Sequence, residues 1–241
     1  MSFSLAAARR CNNQLLTRLS DDELVPLLAF LKPCAHLSRD VLLRQGEKIN
    51  HVYFPSGCVH SCMIYTEDGY SVEVGTIGNE GFTGTELLLD ATIALETVVC
   101  QVPGNSLHMS VHDFHLAMGE SRAFSQILRR SAQAYLAQVS QTAACNRLHS
   151  MEPRFARWLL ITHDRVEGNE FELKQEFLAS MLGVQRPSIS LIAGQFQQAG
   201  MIRYARGRMQ ILDRQRLEET ACECYVAVRN LRQRLLGEPH G

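Results

Sequence analysis

The sequence predicts an α+β fold made of an N-terminal β-roll of jelly-roll type, a long connecting helix and a C-terminal winged helix-turn-helix. Three observations predict it. Short β-prone runs separated by glycines fill Val41 to Val111, and Ser121 to His149 contains neither glycine nor proline. Two short amphipathic helical patterns and a glycine-turned hairpin then occupy Leu173 to Asp213. The chain accordingly divides into a roll at 21–120, the long helix at 121–150, the winged helix-turn-helix at 151–216 and a helical tail at 217–241.

From Asp21 to Pro33 the pattern is helical, with Leu24, Val25, Leu27, Leu28 and Leu31 forming an apolar side. Runs such as Val52 to Phe54, Ser71 to Val74 and Thr97 to Val102 read as strands, punctuated by Gly46, Gly57, Gly69, Gly75, Gly78, Gly81, Gly84 and Gly104. In the long helix Phe124, Ile127, Leu128, Leu136 and Val139 make an apolar stripe beside Tyr135, interrupted by Ser131, Gln138 and Thr142. Such a stripe fits pairing with a second copy, and it fits packing on the roll of the same chain. Pro153 marks a new helix start that carries Phe155, Trp158, Leu159 and Leu160 inward. The tail from Leu217 to Leu235, with Tyr225, Val228 and Leu231, is one more amphipathic helix.

The helix-turn-helix holds the densest information. A first helix from Lys174 to Leu182 buries Phe177, Leu178, Met181 and Leu182, and Gly183 lets the backbone leave it. After a tight turn a second helix opens with Pro187 in its first turn, where a missing N–H costs nothing. Ile189, Ile192, Ala193 and Phe196 hold that helix to the core, which leaves Gln185, Arg186, Ser188 and Ser190 at its exposed N-terminal end. A recognition helix presents side chains to the major groove from that end. Ile202 to Tyr204 and Met209 to Leu212 flank a hairpin turn and form the wing. Phe177 to Leu212 contains no acidic residue, while Arg186, Arg203, Arg206 and Arg208 are all basic, as a phosphate-facing surface requires.

Bulk properties narrow the classes. With 241 residues, 46% hydrophobic residues and a formal net charge of -1, the chain suits a globular protein of one large or two modest domains. No apolar run approaches the roughly 20 residues that span a bilayer. Ala6 to Ala8 are followed directly by Arg9 and Arg10 rather than by a secretory apolar region, so a cytoplasmic protein without a membrane partner is expected. Eight scattered cysteines then read as free thiols. The sequence lacks a nucleophile elbow, a phosphate loop and a metalloprotease histidine pair, and enzymatic activity is not expected.

This order of elements resembles the Crp/Fnr superfamily of bacterial transcription regulators. Leu42, Leu43, Gly46 and Glu47 leading into Val52, Tyr53, Phe54 and Gly57 look like the opening strands of a cyclic-nucleotide-binding fold. Glu80, Gly81, Phe82, Gly84, Glu86 and Leu87 resemble its later glycine–glutamate segment, which implies an effector pocket around Gly81, Phe82, Gly84 and Glu86. The family's recognition-helix arginine falls on Arg186 and the following serine or threonine on Ser188, whereas Pro187 replaces a frequent glutamate and Leu191 a later arginine. The resemblance implies a homodimer joined through the long helix, an inverted-repeat operator in double-stranded DNA, and RNA polymerase as a further partner. Gln185, Arg186, Ser188, Ser190, Arg203, Arg206 and Arg208 are its expected DNA-contacting residues.

The effector is less legible, and no cofactor is assigned. Cyclic-nucleotide binders of this fold pair the phosphate with an arginine that should fall around Ile93 to Glu96, and none stands there. Ile49 to Ser121 has no lysine or arginine at all, against nine acidic residues, so a buried phosphate would lack a partner. Backbone N–H groups from Gly81 to Gly84, or Arg122 and Arg129 of a partner's long helix, are the remaining sources of positive potential. Metal or thiol-redox sensing is the alternative within the same fold. Cys58, His60 and Cys62 alternate along one strand face, and His108, His112 and His115 form a second group. Cys11 and Cys34 are too few for an N-terminal iron–sulfur cluster, and Cys222 and Cys224, two apart in a helical context, are expected to point in different directions. A ligand-binding or interaction module without DNA work is the reading from another class.

Overall fold

A computed structural model describes residues 4–237 of the chain. Two short helices, α1 (Leu5–Arg10) and α2 (Gln14–Thr17), precede α3 (Asp21–Leu24). Ser20 and Glu23 form a capping box at the start of α3. The helix expected over Asp21 to Pro33 ends early. After Leu24 the chain tightens into a 3₁₀ turn, Val25–Ala29, because Pro26 removes an amide donor, and strand β1 (Lys32–His36) follows. Pro33 sits within β1, which is an edge strand and so tolerates the missing donor.

The roll is formed by β1, β2 (Val41–Leu43), β3 (His51–Pro55), β4 (Val59–Tyr65), β5 (Ser71–Ile77), β6 (Thr97–Val102) and β7 (Gly104–Ser110). They make two antiparallel sheets, ordered β1-β7-β3 and β2-β6-β4-β5. Between the sheets lie Phe54, Phe82 and Phe114, with rings 5.8 and 6.1 Å apart, joined by Phe124 of the long helix. Helix α4 (Val111–Glu120) closes the roll, Ser121 in extended conformation separates it from α5, and α5 (Arg122–Leu148) is itself unbroken, as the absence of glycine and proline predicts.

The C-terminal half comprises α6 (Met151–His163), β8 (Glu170–Glu172), α7 (Gln175–Leu182), α8 (Arg186–Gln198), β9 (Ile202–Ala205), β10 (Arg208–Ile211) and α9 (Arg214–Thr220). The wing is a three-stranded sheet, β8-β10-β9, rather than a lone hairpin. A last helix, α10 (Cys224–Leu236), folds back along α5. The two halves share a core: Val59, Met63, Val99 and Val102 of the roll lie in one cluster with Phe155, Trp158, Leu178 and Phe196. Among the described residues no helix is long and apolar enough to cross a membrane.

The apolar stripe expected to mediate pairing resolves into two faces. Phe124 and Leu128 are fully buried in the core of their own roll, whereas Leu136 is 65% exposed. Phe124 and Leu128 therefore cannot belong to a seam between copies. At 100° per residue, Ala132, Leu136, Val139 and Ala143 form a separate small-apolar ridge with 4-3-4 spacing, each exposed or half-buried.

Candidate nucleic-acid interface

Helix α7 ends where Gly183 adopts φ 64°, a left-handed cap that lets the chain turn within two residues into α8. Gln185 occupies the N-cap of α8 in extended conformation, and no side chain caps the helix. Pro187 has no N–H and the Ser188 N–H donates to the Gln185 carbonyl at 3.1 Å, so what the helix turns outward beside Arg186, Pro187 and Ser188 is the positive end of its dipole. Ile189, Ile192, Ala193 and Phe196 are buried, and Phe196 meets Phe155 edge-on at 5.1 Å. Gln185, Arg186, Ser188 and Ser190 all lie on the exposed side, together with Leu191, which is 66% exposed. Ser190 donates back to the Arg186 carbonyl at 3.3 Å. A phosphate near the positive end of the helix, with base edges in reach of the flanking polar side chains, is what this surface can accept.

The wing is fixed to the same unit. Leu173 N–H donates to the Gly207 carbonyl at 2.7 Å, and the Tyr204 hydroxyl donates to the Leu173 carbonyl at 2.8 Å. Arg206 at φ 51° and Gly207 at φ 77° form the two-residue turn, so Arg206 projects from the hairpin tip. Arg203 donates to Gln210 at 3.4 Å across the strands. Arg208 departs from the expectation of a wing without acidic neighbours, since it pairs with Glu170 at 3.0 Å. The acid-free window hid this partner because β8 precedes it in sequence and meets β10 only through sheet pairing.

Helix α7 also packs on β5, the open edge of the four-stranded sheet. Ser180 bonds Ser71, and a Cβ added at Gly183 would lie 3.4 Å from Val72. Deeper in, two buried carboxylates tie the halves together. Trp158 Nε1 donates to Glu73 at 3.0 Å, and Ser61 donates to the same carboxyl group. Burial pushes the Glu73 carboxyl up to about 7 against those hydrogen bonds. Arg165 meets Glu80 through Nε at 2.9 Å and Nη2 at 2.5 Å, and also bonds the Thr76 carbonyl. Burial opposes ionisation of Glu80, but the charges of Arg165 and Arg232 prevail and hold it at about 2. Sequence reasoning missed Glu73, Glu80, Trp158 and Arg165 as a set, because each partner lies 85 residues away and no local pattern marks it.

Gly81 and Phe82 line the cavity between roll and α5, with Ser131 and Gln138 on the helix side and Val228 and Arg232 of α10 as a further wall. Its volume is about 30 Å³. Gly84 instead turns against Val52 and Ile49, and Glu86 accepts the Leu95 N–H at 3.1 Å, so neither lines this cavity. In the segment where a phosphate-binding arginine would be sought, Glu96 accepts a hydrogen bond from the Tyr135 hydroxyl at 2.5 Å.

The candidate metal groups also rearrange. Cys58 contacts His60 at 3.2 Å, but Cys62 lies instead by Tyr135 and Glu96, since register shifts at Val59/His60 and Cys62/Met63 break the simple alternation. His108 stacks on Tyr53 in the roll, whereas His112 and His115 are exposed on α4. Cys222 and Cys224 do converge, contrary to expectation. Cys222 lies in the non-helical link before α10, so the helical rule for residues two apart does not apply, and both thiols meet Cys145 and His149.

Residues 153–220 match the family model of the Crp-like helix-turn-helix domain. FixK2 from Bradyrhizobium japonicum superposes with a TM-score of 0.68 at 13% identity, covering 80% of this chain and 98% of that one. A Crp/Fnr-family transcriptional regulator from Eubacterium rectale gives 0.65 at 16% identity over 86% and 96% of the respective chains. A CRP-family transcriptional regulator from Thermus thermophilus gives 0.65 at 17% over 79% and 96%. At the level of sequence, no curated protein matches.

Proposed function

From a chain with the Crp/Fnr fold and a Crp-like helix-turn-helix domain, we propose a sequence-specific DNA-binding transcription regulator that works as a two-fold dimer. The observation that carries the reading is the uncapped, outward-facing first turn of α8, bearing Gln185, Arg186 and Ser188 with no acidic side chain between Phe177 and Leu212. Arg186 reads a base edge, with Gln185, Ser188 and Ser190 beside it. Arg203, Arg206 and Arg208 of the wing follow the phosphates. The ridge Ala132, Leu136, Val139 and Ala143 joins two copies along α5, and RNA polymerase is the partner through which the bound dimer acts.

Selection of bound duplexes from a random pool tests this. The expected product is an imperfect inverted repeat with half-site centres about 10–10.5 base pairs apart, or a multiple of that spacing. A pool that remains unenriched, or binding equally tight to any duplex at every salt concentration, overturns the proposal.

Cyclic AMP and cyclic GMP are not its effectors. A cavity of about 30 Å³ admits a water molecule rather than a nucleotide, and of the two arginines that line it, Arg165 is already engaged by Glu80. Small-molecule sites hold on the order of 300–1,000 Å³. Titration calorimetry with either nucleotide is expected to give no heat of binding, and a micromolar dissociation constant would contradict the assignment.

A further inference from the structure

We infer that Cys145, His149, Cys222 and Cys224 form a four-coordinate site for a soft divalent cation of the zinc class, clamping the end of α5 to the start of α10. The four donor atoms all lie within 4.8 Å of one another. Cys145 Sγ is 3.5 Å from Cys222 Sγ, and Cys224 Sγ is 3.5 Å from His149 Nδ1. A tetrahedral zinc with Zn–S near 2.3 Å and Zn–N near 2.0–2.1 Å sets its donors about 3.5–3.8 Å apart. The cluster therefore needs only small side-chain adjustments to close around one ion.

Each donor is held by its place in the fold. Cys145 lies in the last turn of α5 and His149 is the extended residue that ends it, its N–H donating to the Cys145 carbonyl at 3.1 Å, which keeps the two side chains together. Ala221, in extended conformation, redirects the chain after α9 so that Cys222 returns toward α5 before α10 begins at Cys224. The three cysteines make a buried cluster of their own, apart from both large cores.

The surroundings match those of a metal centre. His149 Nε2 lies 3.2 Å from the Glu223 carboxylate, which leaves Nδ1 turned to the sulfurs, the carboxylate–histidine arrangement that fixes a metal-binding tautomer. Gln141 donates to Cys224 Sγ at 3.1 Å. Three thiolates and one neutral imidazole around a divalent ion carry a net negative charge. Arg154 and Arg157, whose charges act on the Cys145 thiol, balance it. With four protein ligands the site is closed to a reacting water, so its work is to hold elements together. Arg154 also donates to the Leu182 carbonyl at 2.8 Å, at the end of α7, which carries the clamp to the edge of the helix-turn-helix.

The test uses the full chain, purified without chelator under reducing conditions, with zinc and cobalt as probes. About one zinc per chain is expected, and cobalt substitution should give the intense visible bands of a tetrahedral cobalt–thiolate centre. The double variant Cys222→Ser/Cys224→Ser should lose both signals. Cys34→Ser, whose thiol lies by His36 in the roll, should keep them. Glu223→Gln leaves every donor in place and should weaken metal affinity by about 10–100-fold. Wild-type protein that takes up no tetrahedral cobalt overturns the inference, as does a cobalt spectrum that survives the double variant. A Cys145–Cys222 disulfide in the reduced preparation would also overturn it.

Discussion

Arg186 and Arg208 belong to the same acid-free stretch of sequence, and their surroundings separate them. Arg186 opens the uncapped turn of α8, whereas Arg208 lies on β10 against Glu170. Arg186→Ala should reduce discrimination between operator and scrambled duplex by about 1–3 kcal/mol, with unfolding midpoint unchanged. Competition binding measures it, and an unaltered ratio of the two affinities would remove Arg186 from base reading. At the wing the effect should be graded. Arg206→Ala, at the hairpin tip, should flatten the log–log salt dependence by about 0.9, the slope of one phosphate contact. Arg208→Ala should change it less, because Glu170 competes with DNA for that guanidinium. Equal slopes for the two variants would count against the ion pair as a competitor.

At the scale of elements, α5 turns three faces to three different neighbours. Phe124 and Leu128 face the roll, Gln141 and Cys145 face α10 and its approach, and Leu136 lies on the ridge left open. Leu136→Glu should shift sedimentation toward monomer and weaken operator binding together, while the far-ultraviolet spectrum stays native. A Leu136→Glu protein that remains dimeric would place the seam elsewhere. Periodicity exposed the elements of this chain well: Gly183, Pro187 and the spacing of Ile189, Ile192 and Phe196 were enough for the helix-turn-helix. It could not assign partners to faces. Phe124 and Leu136 look alike in sequence, and only the position of the roll separates them. The same limit hid the cysteine cluster. Cys145 and Cys222 are 77 residues apart, and a two-residue step is divergent in a helix but not in the bend that carries Cys222. Pro26 is the local feature that accounts for the early end of the first long helical pattern, which the periodicity of the surrounding leucines does not show.

For the molecule as a whole, the docking of its halves depends on two carboxyl groups with opposite proton affinities. Glu80, held at about 2 against an ordinary 4.5, contributes stability that is present above pH 4.5 and lost as pH falls toward 2. Glu73, raised to about 7 from 4.5, contributes fully below pH 4.5, and its contribution is lost as pH rises through 7. Stability from this pair should thus peak near its ordinary titration point and fall by on the order of 3 kcal/mol between there and neutrality. Glu73→Gln should abolish that alkaline-side decline, as read by urea unfolding across the pH series; a decline of the same size in the variant would show that another group causes it. A different consequence follows from the return of α10. Arg18 donates to the carbonyls of Leu236 and Gly237, across 218 and 219 positions of chain. Contacts that close so large a loop form late, after local strands and helices are in place. Until then the wall that Val228 and Arg232 give to the roll's cavity is absent, and the face bearing Glu80 and Gly81 is open to water. Hydrogen exchange during refolding should find α10 protected after the strands of the roll, so a helix that follows the helix-turn-helix in sequence completes the domain that precedes it.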